Sequence, residues 1–257
     1  MDMSTETQAL LLDCMLNMGQ MLLECGAEIS RVEDTLDRIA KAYGAIETNV
    51  FVITSIISLT IEFPGHEAIT ETRRIIRDGG TDFIRMEKLN ALSRTVCAEP
   101  VSVETLRDSV ASIAKGRKPF YVQFWGSILA AGSYAIFFGG SLCDGVAAAV
   151  FGAVICLLQI GLDRTEINTV ARNLLISLLI GLGVGVSVQL IPLLHMDKIL
   201  IGDIMLLIPG LAMVNAVRNV LLGNTISGLV RLADSLLWAG ALAGGFMLAL
   251  KIIAQFF

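Results

Sequence analysis

The residues best placed to do chemistry lie within residues 206–231, LLIPGLAMVNAVRNVLLGNTISGLVR. Pro209 and Gly210 interrupt an apolar run there, and Asn215, Arg218, Asn219 and Arg231 follow. Proline lacks a backbone donor and clashes with the preceding turn, so a helix must break or kink at this point. Backbone freed inside a bilayer is tolerated only where it is buried in protein or lines a cavity. A broken helix beside polar side chains is how many transporters build a substrate site. A guanidinium at Arg218 or Arg231 would hold a carboxylate through paired hydrogen bonds. The Asn215 amide suits either a bond to a neighbouring helix or contact with a substrate. Two carboxylates, Asp203 and Asp234, lie in the flanking apolar stretches. Ionisable groups inside a membrane are costly and usually functional, so these are the candidates for ion coupling. The competing readings are a wet rim position for Asp203 and an i, i+3 salt pair between Arg231 and Asp234.

What must position these groups follows from the distribution of charge. The 257 residues are 54% hydrophobic and 17% charged, yet residues 119–143 carry no charge at all. Up to Lys118 charges come every few residues. The expected division is a cytoplasmic domain over residues 1–118 and a membrane domain over 119–257. A span needs around 20 mostly apolar residues. Five stretches qualify, at roughly 120–140, 145–162, 173–194, 199–217 and 229–250, joined by short connections. Lys115, Arg117, Lys118, Arg164, Arg172, Arg218 and Arg231 fall on one side of these spans, against Lys198 and Lys251 on the other. The positive-inside rule then predicts a cytoplasmic amino terminus and an external carboxyl terminus. Five is odd, so an inverted repeat would need a partner or a homologous half elsewhere.

In residues 1–118 the apolar positions Leu11, Met15, Met18 and Leu22 predict a helix that stops at Gly26. A second helix is predicted from Ser30, with Glu33 completing a capping box. Its charges, Arg31, Asp34, Asp37, Arg38 and Lys41, read as a solvated face. Residues 45–63, rich in Val, Ile, Thr and Phe, predict two strands turning near Thr54 and Ser55. A third strand over 68–76, a turn at Gly79-Gly80 and helices over 82–97 and 102–115 follow. The predicted fold class is an α+β cytoplasmic amino-terminal domain followed by an all-α transmembrane bundle of five helices.

Several classes are disfavoured. A net charge of −5 with no basic patch argues against nucleic acid. Cys14, Cys25, Cys97, Cys143 and Cys156 form no CxxC pair and read as reduced thiols; His66 and His195 are far apart, so no metal site is expected. Asp13, Asn17 and Glu24 interrupt the first apolar stretch, so no secretory signal is expected there. Nothing resembles a phosphate loop or a nucleophile elbow, and no cofactor is implied. The runs around Gly181, Gly183, Gly185, Gly240, Gly244 and Gly245 read as close helix packing.

Two motifs carry a resemblance. Residues 26–44, GAEISRVEDTLDRIAKAYG, look like the signature opening the cytoplasmic domain of the threonine/serine exporter (ThrE) family. Pro209-Gly210, Asn215-Ala216, Arg218-Asn219, Gly223, Ser227-Gly228 and Arg231 are similar to that family's second signature. Asn219 departs from it, standing where relatives commonly carry an aspartate. The length corresponds to the first half of full-length members, so the chain looks like the split form, a YjjP-type subunit. The resemblance implies a bacterial inner-membrane location, a small separate YjjB-like membrane subunit and a homo- or hetero-oligomer. It also implies export of threonine and serine or of C4-dicarboxylates such as succinate, by gradient-driven secondary transport. Two other classes remain. An intramembrane aspartyl protease using Asp203 and Asp234 would need a GxGD motif, and Leu200-Ile201-Gly202 lacks its first glycine. A membrane-tethered sensing module would use residues 1–118 as its receiver.

Overall fold

The computed structural model describes residues 4–75, 81–116, 119–163, 165 and 167–256. Gly79-Gly80, the end of the third predicted strand at Ile76, and the basic residues Arg117, Lys118 and Arg164 lie outside the described residues. Of the described residues 74% are helical. It forms two compact units, Met1–Arg117 with Leu211–Leu232, and Lys118–Gly210 with Ala233–Phe257.

The first unit is built around α1 (Thr5–Glu24), whose Leu11, Leu12, Met15, Leu16, Met18 and Leu22 are all buried. Burial extends beyond the one face predicted from spacing, because α2 (Ile29–Ala42), α3 (Phe83–Ala98), α4 (Val103–Lys115) and strands β2 (Ile56–Glu62) and β3 (Ile69–Arg74) all pack against it. Fully burying such side chains contributes about 1.5–3 kcal/mol each, which makes α1 the main source of this unit's cohesion. Gly26 ends the first helical segment with φ +88, a left-handed conformation that a side chain would strain.

β1 (Glu47–Ile53), β2 and β3 form an antiparallel sheet in sequence order, with Ile53 opposite Ile56 across the Thr54-Ser55 turn. Ile57, Leu59 and Ile61 alternate into the core, while Ser58–Thr72 and Thr60–Thr70 hydroxyl pairs line the open face at 3.0 and 2.8 Å. The predicted Ser30–Glu33 capping box does not form. The cap of α2 is Glu28, and Glu33 instead accepts a hydrogen bond from the Val52 N–H at 3.1 Å, docking α2 on β1. That sheet bond, far away in sequence, outcompetes the local one.

The second unit contains α5 (Phe120–Phe137), α6 (Leu142–Leu162), α7 (Thr169–Leu190), α8 (Met196–Leu207) and the larger part of α10 (Thr225–Phe256). Small residues set its spacing: a Cβ at Gly152 would lie 2.8 Å from the Ser127 carbonyl, and one at Gly202 2.6 Å from that of Ala131. The predicted packing role holds for Gly181, which abuts Ala249 and Phe246 of α10, and for Gly183, Gly185 and Gly245; Gly240 and Gly244 have open space around them. Large apolar side chains such as Leu129, Leu142, Val146, Leu157 and Leu190 point outward, an arrangement that suits a hydrocarbon surround.

Among the described residues three helices are long and apolar enough to cross a membrane: α6, α7 and α10. The count is four if α8 and α9 (Gly210–Leu221) are one bent span. Of the five predicted spans, the first, α5, is not in this set; its 18 residues include Gln123, Trp125, Ser127, Ser133 and two tyrosines. These polar groups keep it outside the set.

Candidate functional site

The break predicted at Pro209 is present. The helix stops at Leu207 and restarts at Gly210, whose N–H reaches back only to the Ile208 carbonyl. Ile208 and Gly210 are exposed, and a Cβ at Gly210 would meet nothing within 4 Å, so the break opens onto free space. After the break, α9 is two-faced. Leu211, Val214, Val217 and Leu221 recur at helical spacing and are exposed. Asn215 and Arg218 reach the connection between α1 and α2 within the first unit.

These contacts bring the two sequence signatures together. The Asn215 amide donates to the Gly26 carbonyl at 3.4 Å, and the Arg231 guanidinium to the Ala27 carbonyl at 3.4 Å. The Arg218 guanidinium lies 2.7 Å from the Glu28 carboxylate. Three consecutive residues ahead of α2 thus receive one donor each from the second signature. The carbonyls of Gly26 and Ala27 are turned outward because the chain leaves α1 through a left-handed glycine. The Glu28 side chain is 13% exposed and that of Arg218 58%, so the pair is half screened by solvent.

Asn219 is 1% exposed, and neither its amide nitrogen nor its oxygen has a partner among the described residues. Asp203, in the second unit, is fully buried in α8, which packs on α5, α6 and α7. Neither of its carboxylate oxygens is hydrogen-bonded among the described residues. The rim position considered for it does not fit that burial. Pro209, Gly210 and Asp234 also belong to the second unit, and Asp234 is exposed.

Two features went unread in the sequence. Glu28 gave no local signal, since its partner is remote in the chain. Asp144 is fully buried, closes a capping box with Ser141, and accepts from both the backbone N–H (2.7 Å) and the Nδ1 (3.0 Å) of His195. The spacing Ser141-x-x-Asp144 is a capping-box signal that could have located it. On α2 the solvated-face reading holds for Arg38–Asp34 and Lys41–Asp37, both i, i+4 pairs.

Helices of spanning length, together with a broken and polar one, define a multi-pass membrane protein. A family model described as "Putative threonine/serine exporter" (ThrE) matches residues 13–253, and the chain belongs to that family. A relative from Mycobacterium tuberculosis (strain ATCC 25618 / H37Rv), described as "Probable threonine/serine exporter", is 24% identical over 250 residues. The match covers 93% of this chain and 46% of the relative, so the chain spans about half the length of that protein. No solved structure matches.

Proposed function

We propose that this chain is a subunit of a gradient-driven secondary exporter of small carboxylate metabolites, with threonine and serine as its substrates. The observation that carries this reading is the meeting of the two family signatures at Gly26, Ala27 and Glu28. Family membership supports the substrate class; the contact supplies a reason for both signatures to exist. In this reading Pro209, Gly210, Asn215, Arg218, Asn219 and Arg231 form the substrate path, and an arginine holds the carboxylate. Asp203 and Asp234 carry the coupling ion; Asp203, buried with neither carboxylate oxygen hydrogen-bonded among the described residues, gains most from binding a cation or proton. Residues 1–118 face the cytoplasm of a bacterial cell, the carboxyl terminus lies outside, and five spans cross the inner membrane with α5 the least apolar. A small YjjB-like subunit completes the oligomer.

Export of a C4-dicarboxylate such as succinate is the second reading, favoured by the guanidinium groups of Arg218 and Arg231. A membrane-tethered sensing module is the third, favoured by the extensive core of the first unit. Inverted membrane vesicles carrying this chain, with and without a YjjB-like partner, separate them through uptake of labelled threonine and succinate. Accumulation of threonine only with both chains present is the expected result. Accumulation of succinate alone establishes the second reading, and accumulation of neither gives the field to the third. Arg231→Gln should abolish uptake at unchanged expression; retained uptake would remove Arg231 from the path.

A further inference from the structure

Beside the meeting point of the signatures, and wholly within the first unit, lies a cleft of about 180 Å³. At about 30 Å³ per water, that is room for some six waters, a volume suited to a small metabolite. Its lining brings together polar groups of the first signature and of α3: Glu28 and Arg31 from the start of α2, Thr35 one turn on, and Asn90 from α3. Asn215 of α9 closes one side. One carboxylate and one guanidinium thus face the same small space, accompanied by two hydroxyls, of Thr35 and Thr81, and two amides.

We propose that this cleft binds a free α-amino acid as its zwitterion. Glu28 receives the ammonium group, and Arg31 with the Asn90 amide receives the carboxylate. Thr35 is placed to bond a side-chain hydroxyl. The inference rests on the exporter reading and deepens it by choosing a substrate. A C4-dicarboxylate presents two negative groups, and in this cleft one of them would meet Glu28, where like charge and desolvation oppose it. An amino acid satisfies both signs. Glu28 is already paired with Arg218, so an incoming ammonium shares or displaces that guanidinium, and occupancy of the cleft is felt directly on α9.

The test is calorimetric titration of the purified full chain in lipid nanodiscs with L-threonine, L-serine, succinate, threoninol and N-acetylthreonine. The two amino acids should bind. Threoninol lacks the carboxylate and N-acetylthreonine the ammonium, so each should bind at least roughly tenfold more weakly, the loss expected for one hydrogen-bonded charge. Asn90→Ala and Arg31→Gln leave the Glu28–Arg218 pair in place and should each weaken threonine binding about tenfold or more at unchanged circular dichroism. Glu28→Gln should weaken it too, and Glu28→Asp should restore part. Binding unchanged in Asn90→Ala and Arg31→Gln, with vesicle uptake intact, overturns the cleft and leaves the exporter reading standing. Tighter binding of succinate than of threonine also overturns it. Failure of the wild-type chain both to bind the amino acids and to accumulate them takes the exporter reading down as well.

Discussion

Arg218 and Glu28 form an ion pair at 2.7 Å, joining helix α9 to the three residues that precede helix α2. The two residues come from the two stretches that mark the family, and the backbone carbonyls next to Glu28 take the neighbouring donors Asn215 and Arg231. A contact assembled from both signatures ties the polar face of the broken segment to the sheet-bearing core.

A double-mutant cycle measures that tie. Glu28→Gln and Arg218→Gln should each lower the melting temperature of the full chain slightly. The pair should show a coupling of about 0.5–1 kcal/mol, since the guanidinium is largely in solvent. Additive single effects would mean that the pair contributes nothing to folding.

Asp203 is the second test. Among the described residues neither of its buried carboxylate oxygens is hydrogen-bonded, so removing its capacity for charge should cost little stability. Asp203→Asn should express and melt like the wild type, while uptake in vesicles loses its dependence on an imposed proton gradient. Uptake that still follows the gradient would exclude Asp203 from coupling.

Glu33 offers a pH test in the first unit. Burial raises its pKa above the ordinary value of 4.5, partly offset by the Val52 N–H bond. The folded state therefore favours the protonated form. That contribution is complete below the ordinary value and is lost as pH rises through the folded one. Glu33→Gln, neutral throughout, should gain on the wild type as pH rises from 4 to 8. A melting-temperature difference that moves the other way would contradict the assignment.

Local pattern made much of this molecule readable. The alternation of Ile57, Leu59 and Ile61 predicts a strand, and the ring of Pro209 predicts the break, because both act on their immediate neighbours. Burial around all of α1 was not readable, since Leu12 and Leu16 gain their cover from remote helices. The same limit hid the role of Glu33, which is engaged by a strand residue, and of Glu28, engaged by an arginine remote in the chain. Long-range partners leave no trace in spacing, and the candidate site is made of long-range partners.

Cysteine reactivity checks both burial and orientation. The Cys14 thiol, 1% exposed, is pushed up to about 11 by burial and should resist maleimide at pH 7. Cys143 is exposed. A membrane-impermeant maleimide applied to intact cells should label it if the connection between α5 and α6 lies outside, and Cys143→Ser should remove the signal. Labelling only after the cells are opened would reverse the proposed orientation.

The first compact unit is not a continuous stretch of chain: Leu211–Leu232 belongs with Met1–Arg117. A gene fragment cut after the last charged residue before α5 would therefore yield an incomplete body. Gly26, Ala27 and Glu28 would lose the donors that hold them, and the cleft would lose its Asn215 wall. The same discontinuity bears on how such a chain can be rearranged. A recombination event at a single junction cannot exchange this unit intact, so its two pieces must be inherited together.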